Sequence, residues 1–286
     1  MCGGENPGKP VFPYCTYFNN KQFDYLKCSR CSSVYVDPVP DDRTLALMYL
    51  KESYHDQHYN HQTDQEYLDS CQLLRKFLDK YSLVLDYGCG LGHFLEGIKA
   101  NSLSPFGVDF DEEAAKVASK RTDTLVLTVH EFEKMKNKPI FDAIHLGDVL
   151  EHLKEPSDTL NQLLQLLRPG GILFVEGPLE RNPSLVYFSS RMFGGIKKLM
   201  FSNYGGEHPP YHLFQLNAKQ QIEFFNNLDA NLTMKVWSIY ETGWPYKGGN
   251  LIKRIISELS ILISKSIDFN FGNRFKAIFI KSQERF

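Results

Sequence analysis

Apolar and polar positions alternate in blocks through the middle of the chain, and the blocks have two characters. Short, mostly apolar runs occupy 83–85, 106–108, 125–129, 141–146 and 172–175. They have no polar face, so they read as strands covered on both sides. Between them the apolar residues recur at helical spacing. A helix is predicted over His93–Ala100. A second opens at Asp111-Glu-Glu and runs through Lys120, its acidic first turn matched to the helix dipole. A third is capped by Ser157 and turns Leu160, Leu163, Leu164 and Leu167 to one side. Ahead of the first strand, Tyr67–Lys80 places Leu68, Cys71, Leu74, Phe77 and Leu78 on one stripe. Alternating strands and helices imply a parallel sheet with right-handed crossovers and a ligand crevice at the strands' C-terminal edge.

The rhythm changes twice. Residues 178–216 are rich in aromatics and glycine, an insertion placed at the ligand edge and long enough to be functional. Asn217 then caps a helix, with Gln220 set for a capping box. Leu232–Tyr240 and Arg274–Lys281 read as two closing strands. Between them, within a second insertion at 243–270, Leu251–Ile267 is an apolar helix carrying Lys253, Arg254 and Lys265. Its apolar residues fill more than a narrow stripe, which leaves a lid, a dimer surface, a membrane-surface contact or a core helix open.

The tip of the first strand holds the chemistry. Asp86-Tyr-Gly88-Cys-Gly90-Leu-Gly92 joins strand to helix. Glycines permit a tight turn and close approach of backbone to a ligand, and the helix N-terminus adds free N–H groups. Asp86 would repel a diphosphate but suits an ammonium group. Asp109 ends the second strand, where an acidic residue suits a ribose diol. An amino acid at one end and a ribose in the middle describe S-adenosylmethionine.

The 40 N-terminal residues differ from the rest. Cys28-Ser-Arg-Cys31 is half of a zinc ribbon, but the other half is damaged: in Phe12-Pro-Tyr-Cys15 the first ligand position is Phe. Cys15, Cys28 and Cys31 leave a tetrahedral zinc one ligand short, with Cys2 as a source of the fourth. The alternative is a ribbon relic with reduced thiols. Val34–Pro40 leads into a helix capped by Asp41 or Asp42, followed by Tyr54, His55, His58, Tyr59 and His61. Without a matching carboxylate pattern these histidines read as a solvated helix entry. The 286 residues carry a net charge of −2 with no basic stripe, which argues against nucleic acid. No apolar run is long enough for a membrane span, no basic segment precedes an apolar one at the N-terminus, and six Cys do not suggest a disulfide scaffold. A reducing cytoplasm is the simplest expectation.

Val84–Phe94, Gly107–Asp111, Phe141-Asp-Ala-Ile…Leu150-Glu-His-Leu153 and Leu167-Arg-Pro-Gly-Gly171, taken in this order, resemble the motifs of class I S-adenosylmethionine-dependent methyltransferases. The resemblance spans about residues 65–180. It implies a Rossmann-like, seven-stranded, mostly parallel sheet with helices on both faces, its last strand antiparallel, and a substrate lid in the 178–216 insertion. The segment 1–40 is similar to a zinc-ribbon-bearing branch of that family, some of whose members methylate sugars on nucleotide or lipid carriers. A sugar nucleotide or glycan precursor is the acceptor this implies, with a secondary-metabolite hydroxyl or a non-catalytic binding module as alternatives. Carried over by motif, Asp86, Tyr87, Gly88, Gly90, Gly92 and Phe94 would cradle the methionine part of the cofactor. Asp109 would take the ribose and Phe110 would flank the adenine. Glu131 and Phe132 would meet the adenine amino group, while Gly147, Asp148 and His152 would lie under the sulfonium. A base is needed to take the acceptor proton, and imidazole has a suitable pKa without tuning. His212 in Glu207-His-Pro-Pro-Tyr-His is the first candidate, with His208 and Tyr211 beside it and His152 as the other choice.

Overall fold

The computed structural model describes residues 8–49, 64–200, 205–228, 230–243, 251–266 and 270–282. Cys2 and the His55/His58/His61 patch lie outside the described residues. The first helix, α1 (Asp42–Met48), is capped by Asp41, whose carboxylate accepts from the Thr44 N–H. The central sheet contains β4 (Leu83–Tyr87), β5 (Ser104–Asp109), β6 (Val126–Thr128), β7 (Phe141–Gly147), β8 (Leu167–Pro178), β10 (Leu232–Tyr240) and β11 (Arg274–Lys281). Among the described residues its order is β10-β11-β8-β7-β4-β5-β6. β4 through β8 pair in parallel, and β11 runs antiparallel to both β8 and β10. This is the seven-stranded, doubly wound sheet that the block pattern and the resemblance implied.

Consecutive strand residues point to opposite faces, so each apolar run feeds two cores. Val84, Ala143, Phe174 and Ile278 pack under α2 (Asp64–Arg75) and α3 (His93–Ala100). Leu85, Ile144, Leu173 and Ala277 face α6 (Pro156–Gln165) and α8 (Ala218–Asn226). On the first face α4 (Glu112–Thr122) adds Ala118; on the second α5 (Val129–Lys134) adds Phe132.

Two local expectations change. Ser157 is not a cap: α6 begins with Pro156 in its first turn, and its cap position, Glu155, makes no side-chain cap bond. Proline is favoured at the first helical position, where its fixed φ suits the helix and its missing N–H has no partner to lose, so Ser157 falls inside the first turn. The third strand is shorter than its apolar run, because Thr128 and Glu131 form a reciprocal capping box that starts α5 at Val129.

The N-terminal segment builds a second sheet from β1 (Lys9–Phe18), β2 (Lys21–Lys27), β3 (Val34–Asp37) and β9 (Phe214–Gln215). The insertion thus completes the sheet that the N-terminus begins. Tyr17 N–H donates to Gly206 O at 2.8 Å, and Gly206 N–H to Cys15 O at 3.1 Å. The zinc cluster expected of Cys15, Cys28 and Cys31 is not assembled. Cys15 pairs with Asp24 near the hairpin turn, whereas Cys28 follows Lys27, which pairs with Lys9 at the far end. Four strand residues separate the two levels, roughly 13 Å. Cys28 instead closes the β2–β3 turn through Ser33 and Ser32, and Cys31 Sγ meets Ser33 Oγ at 3.0 Å.

Candidate functional site

The glycine turn is held from the neighbouring strand. Gly88 and Cys89 N–H groups both donate to Val108 O, at 2.7 and 3.0 Å, and Gly90 N–H donates to Asp109 Oδ2 at 2.7 Å. Gly88, Gly90 and Gly92 all have positive φ (83°, 53° and 86°). A Cβ on Gly88 would stand 2.4 Å from Val149 Cγ2, so the turn needs glycine for space as well as for conformation. Gly92 starts α3 without a side-chain cap, which leaves its first N–H groups to the cleft.

Under this turn lies a cleft of about 720 Å³, lined by Asp86, Gly88, Phe94, His145, Gly147, Asp148, Glu176 and Arg274 among others. Asp86 is 2% exposed. One of its oxygens accepts from His145 Nδ1 at 2.7 Å; the other, Oδ2, is buried with no hydrogen-bond partner. A buried carboxylate oxygen left open in a cleft fits an ammonium group, which is the fit the cofactor's amino acid end requires. His145 stacks on Phe94, with ring centroids 3.7 Å apart, and its Nε2 meets Glu176 Oε1 at 3.3 Å. Burial alone would lower the pKa of His145. The carboxylates on both nitrogens overcome this and raise it to about 9. Burial would raise Glu176, but His145 and Lys276 hold it down at about 2. Lys276 Nζ lies 3.0 Å from Glu176 Oε2 and donates to Ser70 Oγ at 2.7 Å.

The other cofactor candidates divide. Asp109 is buried, and its oxygens accept from Gly90 N–H and Asp111 N–H, so its visible work is to shape the turn. Burial raises its pKa to about 6 against the lowering effect of those bonds. Phe110 is 49% exposed and stands edge-on to the buried Tyr87, 5.7 Å between centroids, an aromatic face at the sheet edge. Gly147 packs against the His145 ring. Asp148 sits at φ 54° and is gripped by Arg274 Nη2 at 2.8 and 2.7 Å. Asp109, Phe110, Glu131 and Phe132 all stand outside the cleft lining. Glu131 is committed to the Thr128 capping box, at 2.8 Å to both N–H and hydroxyl, and Phe132 is core beside Phe106.

A second group gathers one helical turn beyond Asp148. Glu151, His152 and His212 each present a ligand atom within 4.8 Å of the others, the metal-type grouping found among the described residues. His152 Nδ1 donates to Tyr211 O at 2.7 Å and lies 3.0 Å from Tyr49 Oη, which leaves Nε2 facing Glu151 Oε1 at 3.8 Å. The His152 and His212 rings meet edge to face at 4.9 Å. His212 Nδ1 bonds Glu180 Oε1 at 2.8 Å. Burial would lower the pKa of His212; Glu180, followed by Glu151 and Asp148, raises it to about 9. Glu180 thus tunes His212 toward its cationic form, where the sequence suggested an imidazole of ordinary basicity. Burial, then the charge of Asp148, raises the carboxyl of Glu151, with His212 opposing. Each histidine has one nitrogen occupied by a carbonyl or carboxylate and the other turned inward, the arrangement that orients imidazole ligands around a metal. Tyr211 contributes its carbonyl rather than its hydroxyl. His208 is exposed, its Nδ1 against Pro209 O and its backbone tied to Thr16, away from this group.

His145, Glu176, Glu180, Lys276 and Arg274 were not singled out from sequence. His145 had a signal: a titratable residue inside a strand buried on both faces must have a partner. Glu176 stands just past an apolar strand, as Asp86 and Asp109 do. Glu180 and Arg274 offered none.

A family model described as a methyltransferase domain matches residues 59–221, more than half of the chain. Ubiquinone biosynthesis O-methyltransferase of Dechloromonas aromatica is 32% identical over 114 residues, 37% of this chain and 48% of that protein. The protein of the same name from Aromatoleum aromaticum is 33% identical over 98 residues, 32% and 42% of the two chains. The chain thus aligns with about half the length of these relatives, or less. Among solved structures, a chain of the complex between the Haloferax volcanii Trm112 methyltransferase activator and a methyltransferase superposes with TM-score 0.54 at 16% identity, covering 84% of this chain and 96% of that one. A Methanosarcina mazei S-adenosylmethionine-dependent methyltransferase superposes with TM-score 0.52 at 15% identity, covering 74% and 98%.

Proposed function

The chain belongs to the methyltransferase-domain family, and from that premise we propose that it methylates a hydroxyl group on a small acceptor with an apolar body. S-adenosylmethionine is the cofactor of this class, and when bound it supplies an electrophilic methyl carbon. Asp86 Oδ2 would hold its amino group, the Gly88–Gly92 turn its backbone approach, Asp109 its ribose and Phe110 one face of its adenine. The observation that carries O-methylation is the Glu151–His152–His212 group beside the cleft. A hydroxyl must lose its proton as it attacks, and a positioned base contributes roughly 10²–10⁴-fold. His152 donates its Nδ1 proton to Tyr211 O, which makes Nε2 the basic nitrogen, 3.8 Å from Glu151 Oε1. His212, charged through Glu180, would instead stabilise the oxyanion that develops. His152 is therefore the base in this reading, and His212 its electrostatic partner.

The relatives' O-methyltransferase names support a hydroxyl acceptor. The sugar or glycan expected from the N-terminal resemblance finds no counterpart among them. Leu150, Phe214, Leu216, Phe224 and Phe275 give the wall beside Glu151 and Glu176 an apolar character, with room for about one water between them, and the test therefore sets apolar-bodied phenols against nucleotide sugars. The test is methyl transfer from labelled S-adenosylmethionine to a panel of phenols and nucleotide sugars. His152→Ala should cut turnover of the best phenol by about 100-fold or more while S-adenosylhomocysteine affinity holds. Transfer to nucleotide sugars alone would overturn the acceptor class, and normal turnover by the variant would remove His152.

A second reading has its own observation: two imidazoles, each oriented by a hydrogen bond on Nδ1, and Glu151 Oε1, buried with no hydrogen-bond partner, suit a divalent cation. Such an ion would lower the pKa of an acceptor hydroxyl. Turnover unchanged by chelation and by added Mn²⁺ or Zn²⁺ would reject it.

A further inference from the structure

We propose that α7 (Leu185–Met200) and α9 (Leu251–Ser266) together form a docking face for an anionic lipid surface. The inference is independent of the acceptor and rests on how the two helices are turned. α9 turns only part of its apolar surface inward. The side facing the protein mixes serines with the half-buried Ile256, Ile261 and Ile263: Ser260 is fully buried and donates to Glu241 Oε2 at 3.0 Å, Ser264 donates to Phe271 O at 3.1 Å, and Ser257 abuts Gly243. Its opposite side, Leu251, Ile252, Ile255, Leu259 and Leu262, is exposed throughout. A surface helix of a water-soluble domain normally keeps such residues inward. α7, which packs beside α9, repeats the pattern. Gly194 and Val186 are buried, Gly194 directly against the Phe12 ring, while Phe188, Met192, Ile196 and Leu199 point outward, Leu199 with 90% of its surface exposed. Two helices that pack against each other thus each expose an apolar stripe, more than scattered single residues account for.

Charge selects the occupant. α7 contains Arg191, Lys197 and Lys198 and no acidic residue; α9 contains Lys253, Arg254 and Lys265 against a single Glu258, itself paired with Arg254. Lys and Arg outnumber acids by five on these two helices, against a net charge of −2 for the whole chain, with Lys198 seated over the Tyr14 ring. A second copy docking face to face would set this positive surface against itself, which isologous pairing penalises. An anionic bilayer offers apolar depth for the outward side chains and negative headgroups for the flanking Lys and Arg. No helix among the described residues is long and apolar enough to cross a membrane, so the face would lie on the surface. Through Ser260 and Glu241, α9 is fastened next to Tyr240 and Thr242 of the cofactor cleft, and docking would bring that cleft to the lipid.

Vesicle flotation of the full chain is the experiment, with phosphatidylcholine vesicles containing 40% phosphatidylglycerol, on the order of the anionic content the electrostatic argument needs, and with phosphatidylcholine alone. The expected result is binding to the anionic vesicles that weakens with salt. It should fall at least about tenfold in Ile196→Glu/Ile255→Glu, both exposed positions, with S-adenosylhomocysteine affinity unchanged to show that the variant is folded. Lys197→Glu/Lys253→Glu should weaken anionic binding selectively. Absence of binding to anionic vesicles overturns the proposal. So does binding that the Ile196/Ile255 variant retains, and so does a dimer in sedimentation that the same variant dissociates while vesicles are ignored.

Discussion

Replacing His145 by Gln tests the buried network beneath the glycine turn. Folded His145 holds its proton to about 9, against 6.5 for free imidazole, because carboxylates face both of its nitrogens. At about 1.36 kcal/mol per pKa unit this corresponds to roughly 3 kcal/mol of folding free energy. The folded-state pKa is raised, so the stabilisation is complete below 6.5 and is lost as pH climbs through about 9. Glu176 acts in the opposite sense. Its pKa is lowered from 4.5 to about 2, so its contribution is present above 4.5 and disappears as pH falls through 2. The two shifts describe one shared interaction and are not added. Urea unfolding between roughly pH 6 and 10 measures the effect. Wild type should lose roughly 3 kcal/mol more than His145→Gln over that range, since the other titrating groups are common to both. The histidine NMR signal missing from the variant should titrate near 9 in the wild type. Equal pH slopes in the two proteins, or a titration at or below 6.5, would refute the reasoning.

Gly88→Ala places a Cβ 2.4 Å from Val149 Cγ2 at a φ of 83°; thermal unfolding should show a loss of at least about 1–2 kcal/mol and calorimetry weaker S-adenosylhomocysteine binding. Asp109→Ala releases the Gly90 and Asp111 N–H groups and should weaken the same binding about 10- to 100-fold, so an unchanged dissociation constant in a folded variant would count against its role. Because folded Asp109 takes up a proton near pH 6, cofactor affinity in the wild type should fall as pH drops through that value, and Asp109→Asn should lack this dependence. Cys28→Ala/Cys31→Ala should leave the metal content of the protein unchanged by elemental analysis, since the hairpin holds these thiols away from Cys15.

What could be read in advance was local. Five apolar runs, the glycine turn, the helix start at Asp111 and the capping box at Asn217 are all decided by residues within a few positions of one another, and the parallel pairing of the middle strands followed from the alternation of strands and helices. Glu131 shows the limit. Its place after the third strand suggested an adenine contact, but three residues upstream Thr128 offers a backbone N–H and a hydroxyl, and a capping box forms instead. Ser157 shows another, since the helix starts one residue earlier, at Pro156, and places Ser157 within its first turn.

The polar site was less legible because its members come from distant stretches. His145 meets Asp86 across 59 positions and Glu176 across 31; Arg274 reaches Asp148 across 126. No period or spacing announces such pairs, and the energetics of each depend on the others being buried with it. His212 illustrates the consequence. From sequence it is an imidazole of ordinary basicity, whereas Glu180, 32 residues away, raises its pKa, and the reading proposed above gives the role of base to its neighbour His152 for that reason. The apolar helix carries the same lesson for surfaces. Periodicity placed Leu251–Ile267 in a helix, but which side turns inward was decided by Glu241. Its buried carboxylate takes Ser260 as a partner, and satisfying that charge leaves Ile255, Leu259 and Leu262 to face outward.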